Sequence, residues 1–219
     1  MSHPQAQELR DGLNALGLSL TEPQVLQLLA YQDLMGKWNK VYNLTAVRTP
    51  SDMLRQHLLD SLSALPALQR YLATLPADGH SRRLLDVGSG GGLPGVVFAI
   101  CCPDLRVTCV DTVGKKTAFI QQAASSLQLP NLKAVHARVE TLCGADYDLV
   151  CSRAFASLVD FTAWSREALA PAGVWMAMKG KYPSEEMSAL PPGITVFHVE
   201  QLKVPGLDAE RCLLWLRAE

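Results

Sequence analysis

The sequence predicts an α/β fold, in which a doubly wound and mainly parallel sheet has an antiparallel hairpin at one edge and is preceded by a helical extension. Two observations predict this class. After residue 83, short apolar runs of strand length alternate with segments of helix length, which is the pattern of βαβ units with helices on both faces of a sheet. Before residue 77, the apolar spacing is helical. We therefore divide the chain into an N-terminal helical extension, residues 1–76, and one compact domain, residues 77–219.

The composition is that of a globular protein. Of the 219 residues, 48% are hydrophobic and 19% are charged, which allows a sizeable core and excludes disordered and collagen-like chains. The net charge of −1 gives no sign of a strongly basic nucleic-acid-binding arm. The longest nearly apolar stretch, residues 93–102, is too short to span a bilayer, and residues 1–12 lack the apolar region of a secretory signal. We expect a soluble, cytoplasmic protein without membrane contact.

The six cysteines fit a reducing compartment. They include no C-x-x-C pair and no Cys/His cluster with the spacing of metal ligands. Cys109 and Cys151 lie in apolar runs of strand character, where a free cysteine behaves as a small hydrophobic residue. We therefore expect reduced, structural thiols and no metal site.

The helices of the extension have recognisable starts. Residues 21–24 (TEPQ) have the form of a capping box, with proline tolerated in the first turn. An apolar stripe at helical spacing follows: Leu34, Trp38 and Val41. Residues 49–50 (TP) indicate another helix start. The buried face that we expect for that helix is Leu58, Leu62 and Leu65.

The strands of the domain follow in order along the chain. The apolar runs predict five parallel strands at 83–87, 106–111, 132–136, 147–152 and 174–179. Between the second and the third, an amphipathic helix is predicted by Ile120, Ala123, Ala124 and Leu127. The last two runs, 194–199 and 212–216, are separated by a Pro/Gly-bearing loop and predict an antiparallel hairpin at the sheet edge.

The glycine-rich segment 86–95 (DVGSGGGLPG) follows the first strand and opens a helix. Glycines in this position let a backbone approach a ligand closely, near a helix N-terminus. Two interpretations compete. The spacing of Gly90, Gly92 and Gly95 matches the dinucleotide-binding fingerprint, and Asp111 follows about 20 residues later, as that fingerprint requires. The alternative begins directly at the strand end with Asp86 and Gly88 and reads D-x-G-x-G-x-G.

The position of the glycines relative to the end of the first strand favours the second interpretation. In the dinucleotide fold the first glycine follows the strand immediately, whereas Gly90 lies two residues late. A carboxylate such as Asp86 also suits an ammonium group better than a pyrophosphate, which it would repel. S-adenosylmethionine carries an ammonium, a sulfonium and an adenosine, and Asp111 at the end of the second strand can accept hydrogen bonds from ribose hydroxyls. We expect Asp86, Gly88, Gly90, Gly92 and Asp111 to form an S-adenosylmethionine site.

The residues at the end of the fourth predicted strand argue against two types of methyl acceptor. Residues 151–155 (CSRAF) lack the Asn/Asp-Pro-Pro-aromatic motif that accompanies methylation of exocyclic base nitrogens. Cys151 lies near the position of a cytosine C5 nucleophile but lacks a preceding proline, and its apolar neighbours favour core packing. We therefore expect no covalent catalysis.

Several motifs in fixed order resemble one family. They are residues 38–45 (WNKVYNLT), 57–61 (HLLDS), 86–95, 152–156 (SRAFA), 179–180 (KG) and 204–211 (VPGLDAER). Together they resemble the bacterial small-subunit ribosomal RNA guanine-N7 methyltransferases, the glucose-inhibited division protein B family, from about residue 20 to the C-terminus. The second position of the Gly90–Gly92 run departs from the family, where a proline often stands.

The resemblance implies a class I, Rossmann-like methyltransferase that modifies N7 of a guanine in 16S ribosomal RNA. It implies cofactor contacts from Gly88, Leu93, Val139, Glu140 and Arg153. Glu140 could instead cap the next turn, and Arg153 could pair with a surface carboxylate. Because guanine N7 carries a lone pair and no proton, we expect no general base or nucleophile, and an orienting role for Arg153.

The RNA-contacting residues are less defined by the sequence. Lys37 and Lys40 lie among the aromatic residues Trp38 and Tyr42, which suits phosphate contact and base stacking, although an ordinary solvated helix face has the same pattern. Lys179 adds positive charge near the sheet end. His57 shares a helix face with Asp60 and Ser61, which form either a structural cluster or part of the acceptor side.

The sequence leaves two other functional classes open. One is a methyltransferase that acts on another RNA, a small molecule or a protein. The other is a non-catalytic module that binds an adenosine ligand or a dinucleotide. We expect the 16S RNA or small ribosomal subunit as the partner and a monomeric enzyme.

Overall fold

The structure, a computed structural model, describes residues 3–76, 79–144 and 146–219. In these residues, seven strands form one sheet in the order β3-β2-β1-β4-β5-β7-β6. The strands are β1 (Arg83–Val87), β2 (Arg106–Asp111), β3 (Leu132–His136), β4 (Tyr147–Arg153), β5 (Leu169–Lys179), β6 (Ile194–Leu202) and β7 (Arg211–Ala218).

The sheet has the predicted topology. Strands β1 to β5 pair in parallel, and β7 pairs antiparallel with both β5 and β6. The edge hairpin is therefore β6–β7, with β7 on the inner side. β5 begins five residues earlier than the predicted 174, ahead of an irregularity opposite Tyr147 and Leu149. The strand order reverses between β1 and β4, and sheets of this type bind ligands at the carboxyl ends of the strands at such a point.

The helices lie before the sheet and between its strands. They are α1 (Ala6–Ala15), α2 (Glu22–Tyr42), α3 (Pro50–Met53), α4 (Asp60–Ser63), α5 (Leu65–Thr74), α6 (Gly95–Cys101), α7 (Gly114–Ser126), α8 (Leu158–Ser165) and α9 (Ser184–Ser188). A π-helical turn, Leu54–Leu59, joins α3 to α4. Within the described residues, no helix is long and apolar enough to cross a membrane.

Helix α2 begins as predicted but buries a different face. Thr21 and Gln24 form the capping box. The predicted stripe is wrong at Val41, which is 69% exposed, whereas Leu34 and Trp38 are half-buried and pack against the core. Helix α2 packs on α6 and α7 and also on the other helices of the extension, and its buried residues are Val25, Leu28, Leu29, Tyr31, Gln32, Met35 and Asn39.

The next helical segment starts and packs as predicted. The Thr49 side chain accepts a hydrogen bond from the Asp52 amide at 3.1 Å, which caps the first turn of α3. Leu58, Leu62 and Leu65 are fully buried. The π turn widens the helix just before Asp60, and such turns are frequent at functional sites.

The helices before residue 77 share their apolar core with the sheet. One buried cluster contains Leu28 and Leu58 from the extension together with Phe98 of α6 and Val107 of β2. A second cluster covers the other sheet face beneath α8. The division at residues 76 and 77 stays a prediction, since residues 77 and 78 lie outside the described part of the chain.

Candidate active site

Two clefts meet at the carboxyl edge of the sheet, where the strand order reverses. The first has a volume of about 430 Å³ and is lined by Asp111, Val139 and Glu140. The second has a volume of about 450 Å³ and lies between the glycine loop and the helical extension. Gly88 and Ala154 line both clefts, so the junction lies between the ends of β1 and β4.

The glycine loop presents main chain to both clefts. Gly88 has φ +64° and Gly90 has φ +59°, a region that residues with a Cβ rarely adopt. The Gly88 amide donates to the Val110 carbonyl at 2.9 Å, which fixes the loop on β2. Apart from its chain neighbours, no described residue has an atom within 4 Å of the position that a Cβ on Gly90 would occupy, so this backbone is open to a ligand. Leu93 lines the second cleft beside them.

Asp111 connects the first cleft to the loop. One carboxylate oxygen accepts from the Gly90 amide at 2.9 Å, and the other accepts from the Val113 amide at 2.9 Å. The Lys116 ammonium lies 3.6 Å away. Each carboxylate oxygen has a further lone pair, so the side chain can hold the loop and still accept hydrogen bonds from two hydroxyls of a ligand.

A 3-10 turn after β3, Val139–Thr141, forms the far wall of the first cleft. Val139 is buried and offers an apolar surface, and Glu140 is exposed. Within the described residues, the Glu140 side chain makes no hydrogen bond that would cap this turn. The geometry therefore leaves Glu140 free to contact a ligand.

Asp86 requires a correction, because it lines neither cleft. Side chains alternate along β1, and Asp86 lies on the face covered by α6, where it is fully buried. One oxygen accepts from the Gly95 amide at 2.8 Å, and the other has no hydrogen-bond partner in the part of the chain that the structure describes. Burial raises the pKa of Asp86 to about 7. It holds the start of α6 and does not face the ligand ammonium that we expected it to bind.

Arg153, at the end of β4, lines the second cleft and pairs with a buried carboxylate. Its Nη1 donates to Asp60 Oδ2 at 2.7 Å and to the Gln56 carbonyl at 3.0 Å. Arg211, at the start of β7, donates from Nε to Asp60 Oδ1 at 2.6 Å. Asp60 is 2% exposed, so the partner of Arg153 is not a surface carboxylate.

Two predicted RNA contacts line the second cleft but are held by internal partners. His57 Nε2 lies 2.8 Å from the Thr45 hydroxyl, and burial, followed by the nearby Arg153, lowers the pKa of His57 to about 4. The Lys179 ammonium donates to the Ala156 carbonyl at 2.7 Å and to Glu186 at 2.8 Å. The imidazole is therefore neutral at pH 7, and the charge of Lys179 is balanced.

The other two predicted RNA contacts lie outside the clefts. Lys37 and Lys40 are exposed on α2. Between them, Trp38 is half-buried, with its ring centroid 4.9 Å from Tyr42 and 5.5 Å from Phe119. Trp38 thus packs inward, as on an ordinary solvated helix face, while Lys37 and Lys40 face solvent, and the assignment of these lysines to RNA stays a prediction.

Comparison with known proteins identifies the family. The GidB family model, described as rRNA small subunit methyltransferase G, matches residues 24–214. This chain belongs to the GidB family. It is 66% identical over 212 residues to the ribosomal RNA small subunit methyltransferase G of Acidovorax sp. (strain JS42), an alignment that covers 95% of this chain and 93% of that protein.

Solved structures agree on the fold. The TrmN structure from Thermus thermophilus has a TM-score of 0.57 at 20% identity and covers 76% of this chain and 53% of its own. The structure of a SAM-dependent methyltransferase from Aquifex aeolicus has a TM-score of 0.51 at 15% identity and covers 75% of this chain and 92% of its own. The predicted family, enzyme class and class I Rossmann-like fold are confirmed.

Cys151 of this GidB enzyme is not placed for chemistry. Cys151 is fully buried, lines neither cleft and is a free thiol. Burial raises its pKa well above the usual value. A thiol that is neither accessible nor ionised cannot serve as a nucleophile. In the described residues, no group of His, Cys, Asp and Glu side chains could hold a metal ion.

The sequence assigned no role to Tyr31, Thr45 or Arg211 and left the role of Asp60 open. The hydroxyl of the buried Tyr31 donates to the Gly91 carbonyl, so α2 braces the glycine loop. Thr45 and Asp60 come from the extension, and Arg211 comes from β7. Asp60 and Arg211 lie in the motifs 57–61 and 204–211, which marked these segments without showing that they meet.

Proposed function

We propose that this GidB-family enzyme transfers the methyl group of S-adenosylmethionine to N7 of a guanine in 16S ribosomal RNA. The observation that supports the proposal best is the meeting of two clefts at Gly88 and Ala154. One cleft has the groups that an adenosine needs, and the other has two arginines and the wall of the helical extension. A donor and an acceptor bound on either side would meet at the strand ends.

The residues of the first cleft fit the cofactor. We assign Asp111 to the ribose hydroxyls and Val139 and Glu140 to the adenine. The open main chain at Gly90 admits the methionine portion toward the second cleft, where Arg153 can receive its carboxylate. When bound, S-adenosylmethionine supplies a methyl group on a positively charged sulfur.

Methyl transfer to guanine N7 requires no acid, base or nucleophile among the side chains. Guanine N7 has an in-plane lone pair and no proton to remove, so alignment of the two reacting atoms is the main requirement. The buried Cys151 agrees with the absence of a nucleophile. The pKa of His57, lowered by burial to about 4, makes its imidazole a weak base, and its Nε2 already lies 2.8 Å from the Thr45 hydroxyl. Arg153 would not pair with the guanine through N7, because that would occupy the reacting lone pair.

We infer that RNA approaches from the extension. Lys37 and Lys40 are exposed on α2 beside Tyr42, which is 44% exposed. Met35 of the same helix and Leu44 after it line the second cleft, so the exposed end of α2 borders the acceptor side. We assign these lysines to RNA phosphates. His57 and Lys179 would act mainly by shaping the cleft wall.

Two further predictions accompany the proposal: the enzyme acts as a monomer, and it acts in the cytoplasm, where ribosomal subunits are assembled. The remaining alternative is a methyltransferase for another RNA or for a small molecule.

Methylation in vitro separates these substrates. The purified enzyme is incubated with methyl-labelled S-adenosylmethionine and either naked 16S RNA, small subunits or 23S RNA, and the digested RNA is examined for 7-methylguanosine. We expect label in 7-methylguanosine of 16S RNA, naked or assembled, and none in 23S RNA. Label in 23S RNA or in another nucleoside would contradict the proposal.

A further inference from the structure

One buried carboxylate holds two arginines that come from different strands. Asp60 lies at the start of α4 in the extension and accepts from Arg153 Nη1 at 2.7 Å and from Arg211 Nε at 2.6 Å. Arg153 ends β4, and Arg211 begins β7 at the same edge of the sheet. All three side chains line the second cleft. The extension therefore determines where both guanidinium groups stand.

The cluster has a surplus positive charge at the cleft wall. Two guanidinium groups face one carboxylate, which is 2% exposed, and the neighbouring Lys179 is already paired with Glu186. Arg153 makes its bonds through Nη1, and Arg211 uses Nε and Nη1. Among the described residues, neither Nη2 group has a hydrogen-bond partner. Each arginine can therefore bind one anionic oxygen from the cleft.

The sheet order places the two arginines at different distances from the cofactor loop. β4 is the neighbour of β1, whose end carries Gly88, whereas β7 lies two strands beyond β4. Adjacent strands are about 4.8 Å apart, so the backbone of Arg211 lies roughly 10 Å farther along the edge, from which its side chain reaches back to the same Asp60 carboxylate that Arg153 binds. Arg153 is the nearer group for the cofactor carboxylate, and Arg211 lies on the acceptor side.

We infer that Arg211 binds a phosphate of the target RNA and that Asp60 is a positioning residue which fixes the spacing between this phosphate anchor and Arg153. The inference rests on the proposed function. A phosphate is the acceptor-side anion that RNA offers, and the base edge is the less suitable partner because N7 must stay open. By holding both anchors, Asp60 aligns donor and acceptor.

The test separates cofactor binding from RNA use in the full-length enzyme. Calorimetry gives the affinity for S-adenosylmethionine without RNA, and steady-state methylation of 16S RNA at several salt concentrations gives KM and its salt dependence. Arg211→Gln should leave cofactor affinity within about twofold, raise KM for RNA about tenfold and reduce the salt slope by about one. Arg211→Lys should restore the salt slope but only part of KM, because it keeps the charge and loses the planar fork.

The other variants test whether Asp60 positions both Arg153 and Arg211. Arg153→Gln should weaken cofactor affinity about tenfold, and Asp60→Asn should weaken both cofactor affinity and RNA use, with partial rescue in Asp60→Glu. Glu200→Gln is the matched control: Glu200 pairs with Arg70 at 2.6 Å and also joins the extension to the C-terminal hairpin, but neither residue lines the clefts. This variant should change neither quantity.

The outcomes distinguish the two levels of the proposal. If wild-type enzyme methylates 16S RNA but Arg211→Gln leaves both KM and the salt slope unchanged, this inference is overturned and the proposed function stands. The same holds if Arg211→Gln weakens cofactor affinity as much as Arg153→Gln does. Wild-type enzyme that leaves 16S RNA unmethylated overturns both. Thermal melting checks that each variant is folded, and the two Arg211 variants decide the matter if Asp60→Asn does not fold.

Discussion

The aromatic ring of Phe155 lies against the Cα of Gly88. A Cβ added to Gly88 would overlap ring carbons Cδ2 and Cε2, and the ring also meets Trp164 edge to face at 5.8 Å. Ala154, immediately before Phe155, has φ +52°, an uncommon conformation for alanine. An aromatic side chain from the end of β4 thus encloses the junction of the two clefts, where a methyl group would be transferred. The glycine at position 88 is required both by its φ and by this ring.

Gly88→Ala should therefore abolish most cofactor binding. The added methyl group would displace Phe155 at the cleft junction, and we expect affinity for S-adenosylmethionine to fall by more than about tenfold in calorimetry. Gly17→Ala is the matched control, because Gly17 has φ +67° and, chain neighbours aside, no described atom lies within 4 Å of the position that its Cβ would take. Gly17→Ala should lose about 1 kcal/mol of unfolding free energy from the strained backbone, and Gly88→Ala should lose more, because Phe155 must also move. Equal cofactor affinity in the two variants would contradict the assignment of the loop.

Asp111→Ala should weaken cofactor binding by about 1–3 kcal/mol, because the ribose hydroxyls and the Gly90 amide lose their acceptor together. Asp148→Ala provides the comparison. Asp148 accepts from the Arg83 amide at 2.8 Å near the start of β4, at the opposite edge of the sheet. That variant should lose stability in denaturant unfolding but keep its calorimetric affinity. A folded Asp111→Ala protein with wild-type affinity would exclude Asp111 from the site.

Cys151→Ala should retain activity. The thiol is fully buried, and we expect kcat to stay within about twofold while stability falls by about 1 kcal/mol for the lost packing. Native enzyme treated with iodoacetamide should show no alkylation at Cys151 by mass spectrometry. A covalent RNA adduct at this cysteine, or a folded but inactive Cys151→Ala enzyme, would refute a mechanism without a nucleophile.

Asp86 and His57 should give opposite pH dependences of stability. The pKa of Asp86 is raised by burial from 3.8 to about 7, so between these values the folded state holds a proton that the unfolded state releases, and stability falls as pH rises. The pKa of His57 is lowered, first by burial, from 6.5 to about 4. The unfolded state then binds the extra proton, and stability rises with pH over that range.

Single variants separate the two contributions in denaturant unfolding at pH 4.5 and 6.5. Asp86→Asn removes the part of the unfolding free energy that decreases as pH rises. The unfolding free energy of this variant should therefore increase with pH more than that of wild type. His57→Gln removes the part that increases with pH, so the unfolding free energy of this variant should increase with pH less than that of wild type. Each slope changes by at most about 1.4 kcal/mol per pH unit. Parallel pH profiles for wild type and both variants would show that neither group titrates as described.

Much of the fold is predictable because it depends on local spacing. All seven strands follow from short apolar runs, and the capping box at Thr21 follows from two side chains three residues apart. The Val41 prediction failed for a tertiary reason: α6 and α7 pack on a neighbouring line of α2, and sequence periodicity does not show which neighbours a helix will meet.

The site was predictable where it follows the strand ends. Gly88, Gly90 and Asp111 meet because the carboxyl ends of adjacent parallel strands lie at one edge. Asp86 was misassigned because the alternation along β1, which turns it away from the clefts, depends on where α6 packs. The contact of Asp60 with Arg211 joins residues 151 positions apart, and no local pattern predicts such a contact.

We expect this enzyme to produce one 7-methylguanosine in the 16S RNA of its own bacterium. Mass spectrometry of digested 16S RNA from a strain lacking the gene should show the loss of one 7-methylguanosine, with other modifications unchanged. Expression of the wild-type chain should restore it, whereas Arg153→Ala should restore much less and Cys151→Ala should restore it fully. Undiminished 7-methylguanosine in 16S RNA of the deletion strain would contradict the account.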